Sequence, residues 1–125
     1  MIRGTTKLIA HLGYPTTTFK APMIYNPWFA HRGIDAVVVP MGVRPEDYAA
    51  FLPLVFRLSN IHGALVTMPH KVATVALADR VSVTARIAGS ANALRLGDDG
   101  KLEADMFDGE GCLLYTSDAA DERSS

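Results

Sequence analysis

A single cysteine, Cys112, occurs in 125 residues, which excludes an internal disulfide framework and any paired-cysteine metal site. Runs of like charge are absent as well: lysines and arginines are scattered from Arg3 to Arg123 and the net charge is −1. The electrostatic footprint of a nucleic-acid binder is therefore missing. The longest apolar runs, such as residues 36–40, fall far short of the roughly 20 residues a membrane-crossing helix requires. Met1-Ile2-Arg3-Gly4 leads into no signal-peptide pattern, so a cytoplasmic location and a small-molecule partner are the expectations left, with no nucleic acid and no membrane. A dinucleotide fingerprint is also lacking, because Gly109 and Gly111 do not open a helix in G-x-G-x-x-G spacing.

What is present suits one folded domain. Apolar residues make up 49% of the chain and charged residues 20%, the balance of a globular protein with room for one core. The character changes after Gly111, where apolar periodicity stops. Back-translated, Cys112 to Glu122 can be spelled by a common transposon-based sequencing adapter. The expectation is a domain over residues 1–111 and a non-native, adapter-derived tail over residues 112–125, set aside from the fold.

Residues 8–12 form a short apolar run stopped by Gly13-Tyr14-Pro15, which reads as a buried strand and a turn. Pro22 can open a helix through about Arg32, with Gly33 at its left-handed end and Pro27 sitting awkwardly inside. The β-branched run 36–41 predicts a strand covered on both faces of a parallel sheet. Arg44-Pro45-Glu46-Asp47 starts a helix whose apolar positions run from Tyr48 to Leu58. A third strand over 63–68 precedes Pro69 and a short helix interrupted at Asp79, and a helical turn follows near 83–87. Residues 91–96 and 101–107 bracket Gly97-Asp98-Asp99-Gly100 as a β-hairpin. The sum is an α/β fold, a three-layer domain with a mostly parallel sheet and a C-terminal β-hairpin. Ligands of such sheets bind beyond the carboxyl ends of the strands.

Several residues there could carry chemistry. Lys71 follows the turn Thr67-Met68-Pro69-His70, and Asp108 closes the hairpin strand. A lysine beside a carboxylate can give a proton to a developing alkoxide or take one back. A lysine at a helix start is, taken alone, more often a solvated charge. Asn92, between Ala91 and Ala93, either binds a ligand hydroxyl or bonds a neighbouring loop. Thr67 is either a ligand contact or a plain strand residue. His62 and His70 lack metal-ligand spacing and are read as structural. Tyr25, Trp28 and Phe29 are most simply helix core, the alternative being that one of them reaches the pocket.

Four blocks in this order resemble the shikimate dehydrogenase family from Leu8 to Gly111. Gly13-Tyr14-Pro15 with Lys20-Ala21-Pro22 resembles its Gly-x-Pro…Ser-x-Ser-Pro loop. Residues 63–71, Gly-Ala-Leu-Val-Thr-Met-Pro-His-Lys, resemble Gly-x-Asn-Val-Thr-x-Pro-x-Lys. Ala88-Gly89-Ser90-Ala91-Asn92-Ala93-Leu94 resembles Ala-Gly-Ala-x-Asn-Thr-Leu, and residues 104–109 resemble Gly-Asp-Asn-Thr-Asp-Gly. The resemblance implies the substrate-binding domain of an NAD(P)-dependent oxidoreductase acting on the CH–OH group of a shikimate- or quinate-like acid. Lys71 and Asp108 would be its catalytic pair, and Thr67 and Asn92 its hydroxyl contacts. NADP or NAD would be bound mainly by a domain this chain lacks, so the fragment is expected to be inactive alone; a homodimer is left open for the full-length protein.

Departures from the pattern matter equally. The two family serines that hold a substrate carboxylate fall at Phe19 and Ala21, the block asparagine is Leu65, and Asn-Thr becomes Met106-Phe107. Losing two charge-assisted hydrogen bonds, worth roughly 1.5–3 kcal/mol each, weakens carboxylate binding. Tyr14, Thr18 and Lys20, with Thr16 and Thr17, are the candidate replacements. A related polyol or hydroxy acid with a smaller or less polar recognition group is the expected substrate. The competing reading is a non-catalytic sensor or inactive homologue that keeps the pocket.

Overall fold

Alternation along the first strand decides the layers. β1 (Lys7–Gly13) turns Ile9 to one face and Ala10 and Leu12 to the other, and all three are fully buried, so each face requires its own cover. The computed structural model, which describes residues 1–107, provides it with helices on both sides of one sheet. α1 (Ala21–His31) lays Tyr25 and Phe29 on the face of Ile9. After β2 (Ala36–Gly42), α2 (Pro45–Val55) brings Tyr48, Leu52 and Val55 to the opposite face, against Ala10, Leu12 and Val66. β3 (Ile61–Val66), α3 (Lys71–Leu77), β4 (Arg80–Val81), α4 (Val83–Ala88), β5 (Ala93–Leu96) and β6 (Leu102–Asp105) complete the described chain.

The sheet order is β2-β1-β3-β5-β6-β4. β1 pairs in parallel with both β2 and β3. The chain steps outward from β1 to β2 and back across β1 to β3, and right-handed crossovers then put α1 and α2 on opposite faces. β5 is antiparallel to β3 and β6, while β4 is parallel to β6. Among the described strands only β5 therefore runs against the rest. The carboxyl ends of β1, β3 and β6 and the amino end of β5 all lie at one end of the sheet.

Four expectations need correction. β2 was read as covered on both faces, yet it is an edge strand in which Val38 alone is buried. Pro40, which lacks an N–H, is tolerated there because its donor side faces no neighbour. The outer edge is met by Asn26 on α1, whose Oδ1 accepts from the Val38 N–H at 2.7 Å and whose Nδ2 donates to the Val38 carbonyl at 3.1 Å. α2 ends at Val55, leaving Phe56 buried and Leu58 exposed beyond it. Asp79 does more than stop α3: its N–H donates to the Leu102 carbonyl and its carboxylate accepts from the Leu102 N–H, starting the unanticipated β4. Thr67 and Asn92 stand one residue outside β3 and β5, rather than within them.

The signals at Gly33 and in the hairpin connection hold, and the structure adds two caps on α4. Gly33 and Gly89, at φ 68° and 69°, end α1 and α4 in the left-handed region that glycine enters freely. Ser82 caps α4 by accepting from the Ala85 N–H, and Gly100, at φ 80°, turns the hairpin between β5 and β6.

Candidate active site

Backbone bonds stitch the strand ends into one surface. The Thr67 N–H donates to the Leu12 carbonyl at 2.9 Å, Tyr14 to Met68 at 3.3 Å, and Val43 to Gly13 at 2.9 Å. Gly13 is at the centre of this seam. A Cβ built there would stand 2.4 Å from Thr67 Cγ2 and 2.7 Å from Phe19 Cζ, so only glycine lets Thr67 and the Phe19 ring close over β1.

Lys71 is held by its main chain from two directions. Its carbonyl accepts from the Ala91 N–H at 2.9 Å, and the preceding turn is closed by the His70 N–H donating to Thr67 at 3.0 Å. Beneath it lies a buried polar network. The His70 ring donates from Nε2 to the Val43 carbonyl at 2.6 Å and stacks on Tyr48 with centroids 3.9 Å apart. Thr74 gives its hydroxyl proton to the His70 carbonyl, so Tyr48 must be the donor in its 2.6 Å bond to Thr74. Burial pushes the Tyr48 hydroxyl up to about 12 against the lowering effect of that bond, which keeps it a proton donor. His70 is thus structural, as its sequence context suggested. The Lys71 side chain is half-buried and makes no ion pair or hydrogen bond among the described residues, and the same holds for the Thr67 hydroxyl.

Asn92 joins this surface through the hairpin. Its main chain bridges β3 and β6, donating to Asp105 and accepting from Val66. Its amide grips Phe107 twice, with Nδ2 donating to the carbonyl at 2.7 Å and Oδ1 accepting from the N–H at 3.0 Å. The loop-binding role weighed for Asn92 is therefore real, and it leaves one amide proton for another partner. The residue it grips immediately precedes Asp108, which lies outside the described residues, as does the tail. Asp105 turns elsewhere, accepting from the Ser82 hydroxyl at 2.6 Å.

The structure brings Thr67, Lys71 and Asn92 together at one sheet end. Tyr14 is exposed on the adjoining loop, with the Arg44 guanidinium 5.7 Å from its ring centroid. Thr18 and Lys20 are exposed on the same loop, and their side chains make no polar contact among the described residues. Phe19 is the loop residue that reaches over Gly13. Sequence reasoning passed over His11, which is 8% exposed and lies with its ring centroid 4.2 Å from that of Phe19. A titratable residue inside an apolar strand was the available signal. Burial brings its imidazole down to about 4.

Among the described residues no helix is long and apolar enough to cross a membrane, and no group of three or more His, Cys, Asp or Glu is placed to hold a metal ion.

Comparison with known proteins places this arrangement. The chain is 37% identical to a shikimate dehydrogenase (NADP(+)) from Rubrobacter xylanophilus, over 98% of the chain and 43% of that relative. It is 34% identical to another from Acidiphilium cryptum, over 90% and 40%. It therefore spans about two-fifths of the length of these relatives. Among solved structures, it superposes on shikimate 5-dehydrogenase from Listeria monocytogenes, crystallised with shikimate and NAD, with a TM-score of 0.78, 30% identity and 94% of the chain against 40% of that protein. The Ael1 enzyme from Pseudomonas putida gives 0.76 and 31%, over 87% and 40%. The family described as the shikimate dehydrogenase substrate binding domain matches residues 12–94, a span that opens inside β1 and closes inside β5 and so contains the whole seam around Gly13, Thr67 and Lys71: the chain belongs to that family.

Proposed function

We propose that this chain is the substrate-binding part of an NAD(P)-dependent oxidoreductase acting on the CH–OH group of a shikimate- or quinate-like polyol acid, or of a related polyol with a less polar recognition group. One observation carries the proposal: Lys71, whose side chain has no polar partner among the described residues, stands near Thr67 at the strand ends where Asn92 holds the residue preceding Asp108. The chain spans about two-fifths of the length of its shikimate dehydrogenase (NADP(+)) relatives. The cofactor, NADP or NAD, would thus be held mainly by sequence outside this chain, and supplies the hydride acceptor when bound.

The residues of this chain handle the proton and the orientation. Lys71 accepts the hydroxyl proton as the carbonyl forms and returns it in reduction, while Asp108 orients the same hydroxyl and balances the ammonium. Thr67 and the free amide proton of Asn92 hold neighbouring hydroxyls. Tyr14, Thr18 and Lys20 edge the far side of the pocket in this proposal. A cytoplasmic homodimer belongs to the same reading of the full-length protein.

The test is steady-state turnover of shikimate and quinate by the full-length protein with NADP and NAD. Lys71→Ala should lower kcat by about 10²–10⁴-fold while KM changes little, as expected for loss of a general acid–base group. Equal losses in turnover and ligand affinity would favour the non-catalytic sensor.

A further inference from the structure

The alternation that buries Ile9 on β1 puts His11 on the same face, in register with Leu65 on β3. His11 Nδ1 is buried and has no hydrogen-bond partner among the described residues. The ring lies against Phe19, and Phe19 in turn reaches the space above Gly13 that Thr67 also borders. The imidazole therefore lines the same corner as Thr67, separated from it by one glycine and one phenyl ring. Phe19 rides on the loop between β1 and α1, tied back by its N–H to the Thr16 carbonyl at 3.0 Å and not held in a strand or helix. Protein interiors pair such ring nitrogens almost everywhere. An aliphatic side chain would fill the site without that deficit, so the histidine calls for a partner beyond the described residues.

We propose that His11 is a specificity-determining residue of the substrate pocket, its imidazole hydrogen-bonding an uncharged polar group of the ligand, a hydroxyl or a carbonyl, when the Phe19 ring turns aside. This rests on the oxidoreductase reading above and narrows it to a substrate class. A neutral imidazole offers one N–H and one lone pair without positive charge. A carboxylate pressed against it would surrender its hydration to face an uncharged ring, Phe19 and Leu65, whereas a hydroxyl or ester carbonyl has far less to lose. This corner thus selects a neutral polar group over an acid.

The experiment uses the full-length protein with two probes, shikimate and its uncharged methyl ester. The wild type should have the lower KM for the ester. His11→Leu should raise the KM for the ester about tenfold, the equivalent of one hydrogen bond, with kcat nearly unchanged. His11→Gln, which keeps a donor and an acceptor, should recover part of that loss. Adding the ester without cofactor should shift the ring-nitrogen NMR resonance of His11. A wild type that prefers shikimate, or an unchanged KM in His11→Leu, would overturn the proposal. A shifted resonance with no turnover of either probe would sink the oxidoreductase reading and keep His11 as a ligand contact. Normal turnover with a silent resonance would sink the His11 inference alone, and silence in both would sink both. Should His11→Leu fail to fold, the glutamine variant and the resonance decide.

Discussion

Gly13 is glycine for want of space. Its backbone is not among those in the left-handed region, but a methyl group would meet Thr67 and Phe19 at well under contact distance. Gly13→Ala should therefore destabilise the fold by about 1–3 kcal/mol, as overpacking does elsewhere, measured by urea denaturation. Adding Phe19→Ala should restore part of that loss, because one of the two obstructing groups is gone; an unaltered denaturation midpoint in the single variant would show that the seam is loose. At this scale the sequence was informative where a motif spoke. Thr67, Lys71 and Asn92 were all singled out, and they do share one end of the sheet. It was silent where a contact depends on a loop folding back. Phe19 meets His11 across a turn with no periodicity, and a histidine in an apolar run looks like one more core position. The grip of Asn92 on Phe107 spans a hairpin whose register could not be known beforehand.

At the level of elements, the order of strands and helices was legible because each segment carries its own period and its own punctuation. Position within the sheet was not. The run Ala36-Val37-Val38-Val39 has the composition of a central strand, and only the pairing order shows it at the edge. Pro40 was the residue that could have said so. Asn26 then gains a role that helix periodicity hides, since its amide stands in for a missing neighbouring strand by pairing both backbone groups of Val38. Asn26→Ala should leave those groups unpaired and lower stability by about 1–3 kcal/mol, with amide exchange at Val38 accelerated by more than exchange at Ala10 in the central strand. Equal acceleration at both sites would mean that Asn26 supports the whole sheet rather than its edge. β4, two residues long, is too short for any pattern to reveal; it exists because Asp79 pairs with Leu102.

For the molecule as a whole, burial of His11 links the site to stability. Its folded pKa of about 4 lies below the ordinary value of 6.5, so the unfolded chain takes up the proton first as pH falls. The contribution is complete above about pH 6.5 and declines through the window down to about 4. Denaturation midpoints across that range should fall in the wild type and fall less steeply in His11→Leu; identical slopes would place the imidazole in contact with water. With β1, β3 and β6 sharing a direction, their carboxyl ends bring the segments that carry Thr67, Lys71 and Phe107 to one place, and Asn92 at the opposite-running start of β5 arrives there too. A crystal structure of the full-length protein bound to an oxidisable polyol tests this most directly. Lys71 Nζ and an Asp108 carboxylate oxygen are expected each about 3 Å from one and the same hydroxyl oxygen; side chains directed to separate surfaces would contradict the shared proton-transfer role.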